Sequence, residues 1–218
     1  MDAPASEEDV RRLQAIPYCA LVGFLMYIAM GTCPDIAFTV QQLSQYLDCY
    51  GLTHWDAAKC VVCYLKGSQG LQLQLGGRSV ADIVGYMDSN YANCVNTRWS
   101  ISGYSFSLST GLVSWSAHKQ KTVSTSSCES EYVAACEATK EVVWLRALLL
   151  ALDHAQVQAT LLCCDNNGAL ILSEDPSFHM QVKHIDVKFH YIRERVAENE
   201  IEVKYMNTKD NLADASGK

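Results

Sequence analysis

Long apolar runs are missing from this 218-residue chain. The longest, residues 18–30, is interrupted by Gly23 and falls short of the ~20 apolar residues that cross a bilayer. It has neither the charged lead-in nor the small-residue cleavage site of a secretory signal. No membrane segment is expected. Positive charge is also scarce: 17 Lys and Arg against 24 Asp and Glu leave a net −7. That balance runs against nucleic-acid binding by bulk charge, which usually leaves a basic footprint. There is no glycine loop of the phosphate-cradling kind, and Ser124 to Ser127 lack the G-x-S-x-G setting of a serine nucleophile. Internal repeats and low-complexity tracts are absent as well.

Ten cysteines are present, yet their spacing supports neither a zinc site nor a disulfide framework. The single C-x-x-C, Cys60 to Cys63, falls inside a predicted helix and has no second C-x-x-C or H-x-x-x-H to complete it. Most of the others interrupt apolar stretches, so free, buried thiols in a reducing compartment are expected. With 49% hydrophobic and 19% charged residues the chain reads as globular.

Residues 1–16 read as a disordered tail. Three helical patterns follow: one from Pro17 to about Met30, one from Pro34 with Ile36, Val40, Leu43 and Leu47 at helical spacing, and one with Thr53 as N-cap, running to Gly67. Residues 71–75, L-Q-L-Q-L, alternate with period two and predict a strand. From residue 80 the pattern changes. Strands are expected over 83–88, 103–109 and 112–115, the last two joined by a hairpin turn at Thr110-Gly111. A long helix over 128–152, a buried strand over 161–165, a short helix over 167–173, a charged helix over 184–198 and a strand over 201–206 complete the order. Antiparallel strands followed by helix, strand, helix, strand describe a mixed α/β sheet with helices packed on it.

Four acids stand in settings suited to a metal site. Asp88 ends the apolar run I-V-G-Y-M, Asp165 closes L-L-C-C-D, Glu131 lies near the start of the long helix, and Asp214 sits in N-L-A-D. A carboxylate at a strand end is held rigidly, and magnesium takes oxygen ligands while keeping several waters, so a few such acids suffice. A lone Asp is more often a turn residue or N-cap, and Asp165 before N-N-G could cap the next helix. Ser126-x-x-Glu129 matches a capping box and gives Glu129 a structural task. Glu131 instead leads the stripe Ala134, Ala135, Ala138, Val142, Leu145, Leu149, which should lie on the sheet. Asp210 competes with Asp214 but reads more naturally as an N-cap. His184 and His190, six residues apart, share no helical face, and no histidine is assigned to catalysis.

The stretches G-Y-M-D-S-N-Y-A (85–92), S-I-S-G-Y-S-F-S-L (100–108), S-S-C-E-S-E-Y-V-A (126–134), C-D-N-N-G-A-L (164–170), K-H-I-D-V-K-F-H-Y-I-R-E (183–194) and N-L-A-D (211–214) resemble the C-terminal part of the Pol polyprotein of copia-type LTR retrotransposons. The resemblance implies an RNase H-like, mixed five-stranded sheet flanked by helices over residues 79–218. Residues 17–78 are similar to the thumb or connection segment that ends the reverse transcriptase in that family. It further implies that Asp88, Glu131, Asp165 and Asp214 bind two Mg2+ ions, with Mn2+ as a substitute, and hydrolyse the RNA strand of an RNA–DNA hybrid. The expected partners are that hybrid and the upstream polymerase domain, with no membrane. The expected location is intracellular, in a virus-like particle or the nucleus. The alternative is an inactive or domesticated Pol fragment acting as a binding module. A DNA-integrating enzyme would end its acidic set with Glu on a late helix, which is not seen. Trp99, Ala117-His118 and Gln181 depart from the family toward less positive charge, and the end A-D-A-S-G-K departs from its apolar pattern.

Overall fold

A computed structural model describes residues 15–76, 82–92, 98–165, 183–207, 211 and 213. The chain divides into two compact units, Met1–Leu73 and Gln74–Lys218.

The first unit is helical. It comprises α1 (Tyr18–Gly31), a 3-10 turn (Pro34–Ile36), α2 (Ala37–Ser44) and α3 (Leu52–Gly67). Tyr18, Val22, Leu25 and Ala29 recur every three or four residues, so one face of α1 is buried against Ile36, Val40, Leu43, Ala58 and Val61. The Tyr18 hydroxyl donates to the Leu43 carbonyl at 2.8 Å, and its ring stacks on Tyr50. The opposite face leaves Phe24, Tyr27 and Met30 exposed.

Three local expectations do not hold. The cap of α3 is not Thr53: Gly51 precedes the helix, and its N–H donates to Nδ1 of His54 at 2.9 Å. The helix around Val40 stops at Ser44, before Leu47. Residues 71–76 form no strand, since Leu71 and Leu75 both face solvent and alternation has no second buried face to satisfy.

The second unit is the RNase H-like mixed sheet. Its strands are β1 (Ile83–Asn90), β2 (Ile101–Leu108), β3 (Gly111–Lys119), β4 (Thr160–Cys164) and β5 (Ile201–Tyr205), in the order β3-β2-β1-β4-β5. β1, β2 and β3 are antiparallel neighbours, whereas β4 runs parallel to both β1 and β5. Among the described residues of this unit are the helices α4 (Ser127–Ala151) and α5 (Lys183–Ala197). β3 is longer than its apolar pattern suggested, because the ladder to β2 continues through Ser116, Ala117 and His118. Ser109 turns the hairpin at φ 59°, in the left-handed region.

α4 packs on the sheet through Tyr132, Ala135, Ala138, Val142, Leu145 and Leu149, meeting Met87, Phe106 and Leu162. Small residues on this face let the helix approach closely. Gly85 shows how tight the strand layer is: a Cβ there would lie 2.3 Å from Cε1 of Phe106. Among the described residues, no helix is long and apolar enough to cross a membrane. The short helix expected over 167–173 lies outside them, as does most of the expected tail.

Nine cysteines are described and all are free thiols. Only Cys136, Cys163 and Cys164 are buried, while Cys19, Cys49, Cys60 and Cys63 are exposed. The apolar neighbours that suggested burial in the helical unit lie partly on its outer faces.

Candidate metal centre

Strand register brings the first two acids together. In the parallel pairing of β1 with β4, Val84, Gly85 and Tyr86 stand beside Leu161, Leu162 and Cys163. Carried two residues further, the same register sets Asp165 beside Asp88. Gly103 is paired with Asp88 from β2 and contributes no side chain to crowd it.

The third acid comes from α4. Ser126 caps this helix by accepting from the Glu129 N–H at 3.1 Å. Glu129 is buried and turned away from the site. Its Oε2 accepts from the N–H of Thr125 at 2.6 Å and from its hydroxyl at 2.7 Å, so it closes the helix start. Glu131, one half-turn later, faces β1. Its carboxylate joins those of Asp88 and Asp165, one oxygen from each lying within 4.8 Å of the others.

Electrostatics make this cluster costly without a cation. Glu131 is only 6% exposed and Asp88 7%. Burial, then the negative charges of Asp88 and Asp165, push the Glu131 carboxyl up to about 8, against a pull downward from hydrogen bonds with Ser89. Its Oε2 is buried and makes no hydrogen bond. A buried acceptor without a donor is rare and costs about 1–3 kcal/mol. A divalent cation would answer both defects, supplying charge and a bond to that oxygen. The donors are all carboxylate oxygens, which suits a hard ion such as Mg2+, Mn2+ or Ca2+ better than zinc.

Asp214 and its competitor Asp210 lie outside the described residues. Two of their neighbours are described and buried. Nδ2 of Asn211 donates to the Met87 carbonyl at 2.9 Å, and the Ala213 N–H donates to Oδ1 of Asn211 at 3.0 Å. The chain is thus fastened to β1 one residue before Asp88.

No family model matches the chain. Curated proteins do. The retrovirus-related Pol polyprotein from transposon TNT 1-94 of Nicotiana tabacum is 38% identical over 211 residues, 97% of this chain and 16% of that protein. The corresponding polyprotein from transposon RE2 of Arabidopsis thaliana is 35% identical over 90% of this chain and 14% of its own length. This chain belongs to the retrovirus-related Pol polyproteins of copia-type transposons. It spans about one sixth of the length of these Pol relatives. A third relative, secreted RxLR effector protein 161 of Plasmopara viticola, is 44% identical over 133 residues, 61% of this Pol segment and 94% of that protein. Among solved structures, RNase H1 of Halobacterium salinarum aligns over 61% of the segment and 90% of its own chain, at 12% identity and a TM-score of 0.45.

Sequence reading missed the polar scaffold behind the acids of this Pol segment. Ser89 and Ser130, each adjacent in sequence to a cluster acid, share a hydroxyl hydrogen bond of 2.8 Å between β1 and α4. Gln120 is 1% exposed, and its Nε2 donates to Ser102 Oγ at 2.9 Å and to the Ser130 carbonyl at 2.8 Å. Its Oε1 accepts from Ser124 at 2.8 Å. One side chain therefore ties β2, the loop after β3 and the first turn of α4 together. Nothing in the sequence pointed to these serine contacts, because most of the partners are remote in the chain.

Proposed function

We propose that this Pol segment hydrolyses the RNA strand of RNA–DNA hybrids in a divalent-metal-dependent reaction, as the RNase H portion of a reverse transcriptase polyprotein. One observation carries the reading: three carboxylates from three separate elements converge within 4.8 Å around a buried, unpartnered oxygen of Glu131. Asp88, Glu131 and Asp165 would hold Mg2+, with Mn2+ as a substitute. Asp214 is proposed as the completing acid on its N-L-A-D motif and its place directly after the anchored Ala213. Bound divalent ions supply Lewis acidity and a water acidic enough to attack phosphorus at neutral pH.

The protein's own groups set the conditions for that chemistry. Glu131 would give up its proton to a bound cation, so metal uptake below about pH 8 should release a proton. Asp88 and Asp165 are fixed by strand register, and the Ser89–Ser130 bond fixes α4 against β1. Choice of RNA over DNA would come from contacts to the 2′-hydroxyl. The helical unit, with Phe24, Tyr27 and Met30 outward, is proposed as the thumb- or connection-like piece that continues from the polymerase domain.

A second reading is a Pol-derived binding module without turnover. It draws on the similarity over 133 residues to a protein named as a secreted effector. Cleavage of a labelled hybrid by the purified chain in Mg2+ separates the two readings. Turnover abolished by Asp88→Asn and by Asp165→Asn is expected. Unchanged cleavage in either variant would refute the metal-centre assignment, and hybrid binding without cleavage by the native chain would favour the module.

A further inference from the structure

The charge of this chain is unevenly spread, and its net −7 conceals a basic face. Residues 89–128 contain no Asp or Glu but hold Arg98, Lys119 and Lys121. Their described part includes β2 and β3, with residues 98–100 and 120–126 next to the strand ends on the side of the sheet where the acids lie. Asn90 pairs with Ile101, and Ile101 pairs with Lys119. Directly paired residues share a sheet face, and residues 88 and 90 share one by alternation, so Lys119 stands on the face that carries Asp88. Two strands across at ~4.8 Å each and two residues along at ~3.4 Å put the two Cα atoms about 12 Å apart. The Glu137 and Glu141 side chains belong to α4, and Glu141 accepts from Ser114 on the other face of β3 at 2.6 Å.

An aromatic ring accompanies the charge. The Lys119 ammonium lies 5.0 Å from the centre of the Trp99 ring, both side chains being half-buried. Arg98 beside it is exposed and takes φ 55°, a left-handed conformation unusual for a long side chain. Nδ2 of Asn90, on the same face and nearer the acids, is buried without a hydrogen-bond partner. A planar apolar ring, flexible cations and a spare amide donor, with no carboxylate in their own segment, match a sugar–phosphate strand better than any apolar or basic partner.

We propose that Trp99 and Lys119, flanked by Arg98 and Lys121, form a nucleic-acid contact that holds one strand of the hybrid about 12 Å from the acid cluster. This deepens the proposed hybrid-cleaving reading and rests on it. Lys119 takes a phosphate, and Trp99 packs against the adjoining sugar or base. The rim thereby offsets the repulsion that the net negative chain would exert on the substrate.

The test is binding of a fluorescent RNA–DNA hybrid to the full chain, with Ca2+ replacing Mg2+ so that affinity is read apart from turnover. Salt is varied up to about 1 M. Lys119→Gln should weaken binding roughly eight-fold at about 0.1 M salt and make the log–log salt slope shallower by about 0.9. In Mg2+ it should raise KM and leave kcat unchanged. Trp99→Ala should weaken binding roughly five-fold or more without changing the slope, and Trp99→Phe should recover most of it. Lys59→Gln, in the helical unit, is the charge control and should bind as the native chain does. Native affinity and slope in Lys119→Gln would overturn the proposal and leave this face to an acidic partner of another class. An equal loss in Lys59→Gln would overturn it too, since charge anywhere would then suffice. Should Trp99→Ala fail to fold, Lys119→Gln still decides. If the native chain bound the hybrid but never cut it, the cleavage reading would fail while this contact remained testable.

Discussion

Replacing Glu131 by Gln should stabilise the metal-free protein and end its response to metal. Glu131 rises from 4.5 to about 8 on folding because it is buried beside Asp88 and Asp165. A carboxyl whose folded value is raised holds its proton more tightly in the native state. Its favourable share of stability is complete below pH 4.5 and is lost as pH climbs to 8. At about 1.4 kcal/mol per pKa unit, the native chain gives up about 3 kcal/mol by pH 7 and about 5 kcal/mol above pH 8. Gln carries no charge in either state and escapes that loss. The assay is thermal unfolding in chelator from pH 5 to 8.5. The variant should match the native chain near pH 5 and exceed it by roughly 6–12 °C at pH 7, taking about 2–4 °C per kcal/mol. Added Mg2+ should raise the native melting temperature at pH 7 and leave the variant unmoved, because the proposed site would lose its third carboxylate. A variant less stable than the native chain at pH 8, or a native stability flat across this range, would refute the account of a strained acid cluster.

Gly85→Ala should cost about 1–3 kcal/mol or more in urea unfolding, because its Cβ would press on Phe106 and Leu162, both fully buried. Gln120→Ala should cost about 2–4 kcal/mol, since it strips partners from Ser102, Ser124 and the Ser130 carbonyl together; a loss within about 0.5 kcal/mol would mean water replaces it. Alkylation mapped by peptide mass should modify Cys19, Cys49, Cys60 and Cys63 in the native protein. Cys136, Cys163 and Cys164 should react only after denaturation, and burial raises the thiols of Cys136 and Cys163 further from reactivity.

Much of the sheet was legible because its signals are local. The run before Asp88 and the Ser126–Glu129 cap each lie within a few residues, and β1 and α4 formed where those signals stand. The distinction between Glu129 and Glu131 was legible too, since the cap motif consumed one acid and the small-residue stripe pointed the other at the sheet. Less could be read where a second surface decides. L-Q-L-Q-L alternates correctly and still makes no strand, because burial is a property of neighbours. Thr53 looked like a cap, yet the helix already begins at Leu52, and the His54 ring reaches back to accept from the N–H of Gly51. The exposed thiols were misjudged for the same reason, as apolar neighbours in sequence need not be neighbours in space.

The amino-acid order alone set which residues could be ligands: it fixed the acids, their strand and helix settings, and the period of each element. Only the assembled sheet decided that they meet. The parallel register of β1 with β4 places residue 165 beside residue 88, and the packing of α4 brings residue 131 to both. The burial that raises Glu131, the serine and glutamine frame behind it, and the gathering of Trp99 and Lys119 onto one face have no signature in spacing. Each depends on separations of ten to more than seventy residues closing to a few ångströms, which hydrogen-bond register and side-chain packing impose together.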